Sequence, residues 1–329
     1  MELTINQTPL VSVVLLNYNG CRYLGSILDR CILSVLGSDY SNIELLFVDN
    51  GSDDDSVRHI MGKFRSDTRL RVVSLDRNYG TAKGHNIGIE SSKGELFLLL
   101  NNDTWVPGNA IGKMVQILQE DNKVAAVSCR IVSPNGALQH EGFKFGPLFP
   151  VLGITHGPFL GKKPELYRDM PEAKRFDLLP GTALMVKKDA LHELGTLYDE
   201  DYYTYTEDLD LCYRLRRKGY ELVCITDIDI IHYGGGTGQQ FSAWRADLTA
   251  RNKLLFIYKN FHPLKVAASL LVNLVDAIRL FAMGFVTNDA NRLREAKSRL
   301  NAYSYVKKSP IPPMRHRNSS QYESRGDCL

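Results

Sequence analysis

The sequence predicts an α/β fold with a mostly parallel central sheet and a helical extension behind it. Three observations carry that expectation. Short apolar runs of strand length alternate with helix-patterned stretches through the first third of the chain. One run, Leu96-Phe97-Leu98-Leu99-Leu100, is apolar at every position, as in a strand covered on both faces by helices. Four such runs each end in a cluster of Asn, Asp, Arg or Tyr, and parallel strands gather those ends on one edge, where open α/β sheets bind ligands.

The elements follow in order. A strand over 11–16 ends in Asn17, Tyr18, Asn19 and Gly20, and a helical pattern runs from about 22 to 36. A second strand over 43–48 ends in Asp49-Asn50-Gly51-Ser52, with Ser52 or Asp53 placed to cap a short helix towards Phe64. The third strand, 70–75, leads through Arg77-Asn78-Tyr79-Gly80 into a glycine-spaced helix carrying Ala82, Lys83 and Asn86. The fourth, 96–100, stops at Asn101-Asn102-Asp103-Thr104, and a helix opens near Pro107 and runs to about Gln119. A strand over 124–132 precedes a segment rich in Gly and Pro, 133–180, of the kind that forms a lid or binding loop; it reads as part of the acceptor side. Pro180-Gly181-Thr182 leads into another strand, and Thr204-x-x-Glu207 fits a capping box on a helix that would reach Lys218 and stop at Gly219. A strand over 228–233 ends beside His232.

Composition excludes several classes. Forty basic against 37 acidic residues leave no electrostatic footprint for nucleic acid. The six cysteines are scattered without a C-x-x-C pair and several lie in apolar runs, which reads as buried free thiols in a reducing compartment. The N-terminal residues show no basic stretch followed by an apolar core, so a signal peptide is not expected, and Cys328, next to last, does not form a prenylation box. The first strand–helix turn lacks G-x-G-x-x-G and no G-x-x-x-x-G-K-[ST] occurs, which argues against a dinucleotide site and a P-loop. The strand ends instead offer carboxylates, amides and one nearby cation, Lys83. A diphosphate could be held through a divalent metal, Mg or Mn, on Asp103, and Asp49 could accept an imide N–H from a pyrimidine base. The plainer reading, that these Asn and Asp residues only form turns, stands beside this one at each strand end.

Five blocks in order resemble a known family. They are Val13-Val14-Leu15-Leu16-Asn17-Tyr18-Asn19, Phe47-Val48-Asp49-Asn50-Gly51-Ser52, Arg77-Asn78-Tyr79-Gly80-x-Ala82-x-Gly84-x-Asn86-x-Gly88, Leu98-Leu99-Leu100-Asn101-Asn102-Asp103-Thr104 and Glu207-Asp208-Leu209-Asp210-Leu211-Cys212. Through them residues 11–235 resemble a family 2 glycosyltransferase of the GT-A type, a single Rossmann-like domain, in the branch labelled rhamnosyltransferase-like. One departure is visible: Asn101 stands where the family's Asp-x-Asp motif often has its first Asp, so Asp103 becomes the main metal residue.

The resemblance implies a metal-dependent, inverting hexosyltransferase. It would carry sugar from a nucleotide-diphosphate donor, dTDP-rhamnose or a UDP-sugar, to a hydroxyl of a growing, lipid-linked surface polysaccharide. Leu16, Asn17, Tyr18, Asn19 and Asp49 would form the nucleoside pocket, lined by Asn78, Gly80, Lys83 and Asn86, with Asn102, Asp103 and Gly181 towards the donor sugar. Asp103 and His232 would hold the metal; for His232 a buried structural histidine is the competing reading. Glu207 and Asp208, matching the family's Glu-Asp motif, would be the catalytic residues, with Asp208 as the general base. Without the resemblance, three acids in the first turn and four basic residues in the last simply complement the helix dipole. Two other functions stay open: a nucleotidyltransferase making the sugar nucleotide, although its usual basic, glycine-rich first loop has no counterpart after Leu16, and a non-catalytic sugar-nucleotide-binding subunit at the membrane.

Residues 1–240 are thus read as the catalytic domain, 241–306 as a helical region and 307–329 as a disordered tail. Within 264–286, Lys265, Ser269, Asn273, Asp276 and Arg279 fall on one stripe and the rest is almost wholly apolar. No charge-free run reaches about 18 residues, which disfavours a spanning helix. The basic stretch Arg292, Arg294, Lys297 and Arg299 favours a helix lying in the membrane interface over one packed on the catalytic domain. The expected location is cytoplasmic, peripheral on the inner face of the membrane.

Overall fold

The computed structural model of the protein describes residues 8–146, 149–150, 161–163, 171–234 and 242–306. The chain divides into two compact units, Met1–Thr249 and Ala250–Leu329. The boundary therefore falls inside a helix, a few residues beyond the expected 240. The expected disordered tail, 307–329, lies outside the described residues.

In the first unit β1 (Val11–Asn17), α1 (Gly20–Leu24), α2 (Ser26–Leu36), β2 (Ile43–Asp49), α3 (Ser56–Phe64), β3 (Leu70–Ser74), α4 (Gly80–Glu90) and β4 (Leu96–Asn101) follow the alternation expected of βαβ units. Then come β5 (Thr104–Trp105), α5 (Ala110–Glu120), β6 (Val124–Val132), β7 (Leu138–His140), β8 (Ala173–Phe176), β9 (Ala183–Lys187), α6 (Lys188–Leu194), α7 (Glu207–Arg217) and β10 (Glu221–His232). One ten-stranded sheet runs β3-β2-β1-β4-β9-β6-β10-β5, with β7 beside β6 and β8 beside β10. The pairs β3–β2, β2–β1, β1–β4 and β6–β10 are parallel, and β9 is inserted antiparallel between β4 and β6.

Burial of the strands on both faces explains their apolar runs. On one face Val11, Val13 and Leu15 pack with Leu98 and Leu100 against Ile32 of α2 and Met114 of α5. On the other, Val14, Phe97 and Leu99 join Ala82 of α4 and Leu211 and Leu215 of α7. Each such side chain contributes about 1.5–3 kcal/mol on leaving water. The five described cysteines are unpaired thiols, four of them buried, as composition suggests. His85 of α4 is 3% exposed, and burial pulls its pKa down from 6.5 to about 4. A histidine held neutral contributes stability above the unfolded value that is lost as pH falls. Thermal melts should show the unfolding free energy dropping by about 1.4 kcal/mol per unit between pH 6.5 and 4 on account of His85, and less steeply in His85→Leu.

Three local expectations are corrected. The first helix breaks at Gly25, whose φ of 53° interrupts it. The capping box at Thr204 does not form. Thr206 occupies the cap position with φ 78° and no capping bond, because Thr204 Oγ1 is drawn instead to Thr81 Oγ1 at 2.6 Å. The last strand begins at Glu221 rather than 228, its pairing with β6 resuming after a register shift between Ile225 and Asp229.

The second unit contains the end of α8 (Ser242–Asn260), then α9 (Pro263–Thr287) and α10 (Ala290–Val306). Pro263 at the first helical position and the His262 ring accepting from Leu264 N start α9. Of its polar stripe, Ser269 and Asn273 are buried and Asp276 is half-buried, while Lys265 and Arg279 are exposed. Asn273 Nδ2 donates to Arg299 O at 3.4 Å, Arg299 pairs with Asp276 at 2.8 Å, and the Tyr303 hydroxyl donates to Leu270 O. The apolar face is exposed: Leu271, Val275, Ile278 and Phe281 are each more than half accessible, and Phe285 and Val286 more so. Among the described residues α9 is long and apolar enough by length and composition to cross a membrane, although Asp276 and Arg279 interrupt it. Those two charges pair with each other at 3.4 Å.

Candidate active site

The carboxyl ends of β1, β2 and β4 bring the expected residues to one edge because the strands are in parallel register, Asn17 beside Asp49 and Leu16 beside Asn101. Asn17 is fully buried. Its Nδ2 donates to Asp49 Oδ1 at 3.0 Å, and its Oδ1 accepts from Asn102 Nδ2 at 2.9 Å. Asp49 is also held by Ser52, through Oγ at 2.6 Å to Oδ1 and through N at 3.0 Å to Oδ2. A lone pair on Oδ2 is left for a donor from a ligand. Asn19, with φ 53°, accepts from Asp53 N at 2.9 Å and so pins the turn after β2 to the turn after β1. Tyr18 is half-buried, and burial together with the charge of Asp53 pushes its phenol up. Leu16 lies under α4, where a side chain at Gly84 would meet it at 2.6 Å.

The third turn is a scaffold. Asn78 Oδ1 accepts from Gly80 N at 2.9 Å, from Asn50 Nδ2 at 3.1 Å and from the Tyr203 hydroxyl at 3.3 Å. Gly80 has φ 81°, and a Cβ there would sit 2.4 Å from Tyr203 O, so only glycine lets the 203–206 loop rest on the start of α4. Ala82 N donates to that same carbonyl at 3.0 Å. Two expectations change here. Asn86 was expected to line the pocket, but its amide is spent on the protein, bonding Tyr198 O at 2.9 Å and Tyr198 N at 3.0 Å. Lys83 was expected as a cation for the diphosphate, yet it pairs with Glu200 at 3.1 Å. Its ammonium is still partly exposed.

The fourth turn carries Asp103, 7% exposed. β5 pairs antiparallel with the end of β10, placing His232 opposite Thr104, and Tyr233 N donates to Asp103 O at 2.9 Å. His232 Nε2 then lies 3.2 Å from Asp103 Oδ1. Neighbouring ligands of an octahedral ion with bonds of about 2.1 Å are about 3.0 Å apart, so this oxygen–nitrogen pair fits Mg2+ or Mn2+. Among the described residues no group of three His, Cys, Asp or Glu side chains forms, so further ligands would come from substrate or water.

Asp208 opens α7. Its Oδ1 accepts from Leu209 N at 2.8 Å and its Oδ2 from Gly181 N at 3.3 Å; a Cβ at Gly181 would crowd Oδ2 at 3.0 Å. Because β9 pairs with β4, Asn101 N donates to Thr182 O at 3.0 Å, which sets Gly181 and Asp208 beside the turn bearing Asn102 and Asp103. Adjacent Glu207 is 8% exposed and its Oε2 has no hydrogen-bond partner among the described residues. Burial raises both carboxyls, and the Asp208 charge adds to the rise at Glu207. The loop entering α7 is strained: Tyr203, Tyr205 and Thr206 all have positive φ, between 64° and 78°. It is held by Ala82 N, Thr81 and a buried network in which Arg214 bonds Asp210 at 2.6 Å and Tyr202 bonds Asp210 at 3.1 Å. Sequence reasoning passed over Asn50, Tyr203 and the Asp210–Arg214 pair. The i,i+4 spacing of the last was a usable signal, whereas the partners of the other two are distant in sequence.

Comparison with known proteins identifies the family and the fold. The sequence profile described as Glycosyl transferase family 2 matches residues 12–195. An uncharacterized protein of Sinorhizobium fredii is 27% identical over 229 residues, 69% of this chain but only 24% of that protein's length. The N-acetylglucosaminyl-diphospho-decaprenol L-rhamnosyltransferase of Mycobacterium tuberculosis is 25% identical over 270 residues, 76% of this chain and 84% of the relative. Among solved structures, the mannosyltransferase PcManGT of Pyrobaculum calidifontis, in complex with GDP-Man and Mn2+, superposes with a TM-score of 0.58 at 16% identity, over 93% of this chain and 83% of that one. That likeness is one of fold, the GT-A fold.

Proposed function

The chain belongs to glycosyl transferase family 2, and from that premise we propose that it moves a hexosyl unit from a nucleotide-diphosphate sugar to a hydroxyl of a growing glycan, inverting the anomeric carbon. The observation that carries the reading is the position of Asp208, held by two backbone N–H groups on the same sheet edge as Asp103 and Asp49. Asp49, Tyr18 and Asn19 receive the nucleoside, and the free lone pair of Asp49 Oδ2 suits the imide N–H of uracil or thymine. Asp103 and His232 would hold a divalent cation, which supplies several kcal/mol of charge stabilisation to a departing diphosphate. Asp208 takes the proton of the acceptor hydroxyl as its oxygen bonds to the anomeric carbon. The bond from that carbon to the diphosphate oxygen breaks, and the nucleoside diphosphate leaves with the electron pair. One displacement of this kind inverts configuration.

A lipid-diphosphate-linked acceptor and a dTDP-rhamnose or UDP-sugar donor are the finer reading; the name of the Mycobacterium tuberculosis relative supports the acceptor and the rhamnosyl unit, and the nucleotide rests on the family resemblance. The second unit supports a peripheral place on the cytoplasmic membrane face. At 100° per residue Leu264, Leu271, Val275, Ile278 and Phe285 of α9 lie within an arc of about 80°, opposite Ser269, Asn273, Ala277 and Gly284 in the seam. A hairpin that buries Ser269 and Asn273 in its seam and turns its apolar side outward suits lipid. α10 exposes Arg294, Glu295 and Lys297, each costing about 2.5–3.5 kcal/mol at a bilayer centre, so α9 lies along the interface rather than spanning.

A donor panel scored by nucleoside diphosphate release tests the reaction. Release should require a glycan acceptor and Mg2+ or Mn2+, stop on chelation, and need far more metal in Asp103→Ala. Release of pyrophosphate instead would indicate nucleotidyl transfer, and chelator-insensitive turnover would remove the metal from the reaction.

A further inference from the structure

We propose that Gln139 is a positioning residue that locks the His232 ring in the tautomer able to take a metal; the inference rests on the reading of Asp103 and His232 as metal ligands. Gln139 sits on β7, just after the tight turn between β6 and β7 in which Ser133 N donates to Ala137 O at 2.8 Å and Gly136 N to Ser133 O at 2.8 Å. From there its side chain reaches the end of β10. Gln139 Nε2 donates to the backbone carbonyl of His232 at 2.8 Å and to Ser133 Oγ at 3.0 Å. A carbonyl oxygen can only accept, so the amide nitrogen is identified and the amide cannot be turned round without losing this bond. Its Oε1 therefore faces His232 Nδ1 at 2.7 Å, and an amide oxygen can only accept. Nδ1 must carry the hydrogen.

The consequence lies at the other ring nitrogen. With Nδ1 protonated, the neutral imidazole keeps its lone pair on Nε2, 3.2 Å from Asp103 Oδ1. Two lone-pair donors that close repel unless a cation stands between them. Gln139 thus selects a ring that offers a ligand beside the carboxylate and excludes the Nε2–H form, which has no lone pair on that nitrogen for a metal. A partner on the far nitrogen of a liganding histidine fixes orientation as well as tautomer. In the sequence nothing marks Gln139, 93 positions from His232.

Nitrogen-15 NMR of imidazole-labelled, metal-free protein, together with Mn2+ titration by calorimetry, tests this. The wild-type His232 signal should show hydrogen on Nδ1. Gln139→Leu should release the ring towards the Nε2–H form and weaken Mn2+ binding by about 10–100-fold. Gln139→Glu keeps an acceptor for Nδ1 but loses the donor to the His232 carbonyl, so it should keep the tautomer and recover only part of the affinity. A merely structural role would lower the melting temperature of the variants and leave the tautomer unchanged. A wild-type neutral ring protonated on Nε2 overturns the proposal without any variant, as does a folded Gln139→Leu protein with unchanged tautomer and Mn2+ affinity. Failure of the wild-type protein to bind Mn2+ at all overturns the metal reading, and the role of Gln139 with it, and is distinct from binding that ignores Gln139.

Discussion

Asp208→Asn is expected to lower the transfer rate by about 10²–10⁴ while the affinity for the nucleotide-sugar stays near that of the wild type. The amide keeps the shape, and its single oxygen can still accept from Leu209 N, the shorter of the two bonds; only the 3.3 Å bond from Gly181 N is given up, and the Asn17–Asp49 end of the site is untouched. What is lost is the ability to take a proton. Glu207→Gln should behave differently. The two adjacent carboxyls are both raised by burial, and like charges side by side make a fully ionised pair unfavourable. Two backbone N–H groups stabilise a charge on Asp208, whereas Glu207 Oε2 has no partner among the described residues. The proton therefore rests on Glu207 and the charge on Asp208, and glutamine imitates the neutral acid. Glu207→Gln should retain most of the activity. Because burial raises Asp208 and only its ionised form is a base, activity should fall as pH drops through a value above 3.8, the ordinary one. The acid limb of kcat/KM against pH reads this directly. An Asp208→Asn protein as active as wild type would take the residue out of the reaction.

Replacing Ile278 and Phe281 of α9 together by Glu is expected to reduce binding to anionic phospholipid vesicles by about 10²–10⁴, since each buried apolar side chain contributes about 1.5–3 kcal/mol. Both are more than half exposed, at 59% and 56%, so the substitutions leave the packing of α9 on α10 alone and melting should be unchanged. Vesicle flotation measures the effect. Charge reversal at Arg294 and Lys297 should weaken binding to anionic vesicles more than to zwitterionic ones. Unaltered flotation of the double-Glu protein would overturn the lipid-facing reading. Loss of a concentration-dependent dimer in place of flotation would assign the face to a second copy of the chain.

The gathering of the strand-end residues at one sheet edge was legible because it depends on local rules. Apolar runs and their polar stops mark where strands leave a parallel sheet, and register then brings Asn17, Asp49, Asn102 and Asp103 together. Asn86 and Lys83 were placed in the right turn, but their partners, Tyr198 and Glu200, lie more than a hundred residues away. No spacing rule reaches that far. The polar stripe of α9 was equally visible, while which way it faces was not, since either side of an amphipathic helix can turn inward depending on what packs there.

By itself the sequence determined the alternating strands and helices from β1 to β6, the residues at the first four strand ends, and the family, but not β5, β7 or β8, because propensity, periodicity and motif order are properties of neighbours along the chain. Only the tertiary structure decided that β9 inserts antiparallel beside β4 and so carries Gly181 to Asp208, that Thr204 holds α4 instead of capping α7, and that Gln139 orients His232. Those outcomes depend on which distant backbone groups satisfy one another's hydrogen bonds. That competition is settled by the packing of the whole sheet, not by any stretch of it.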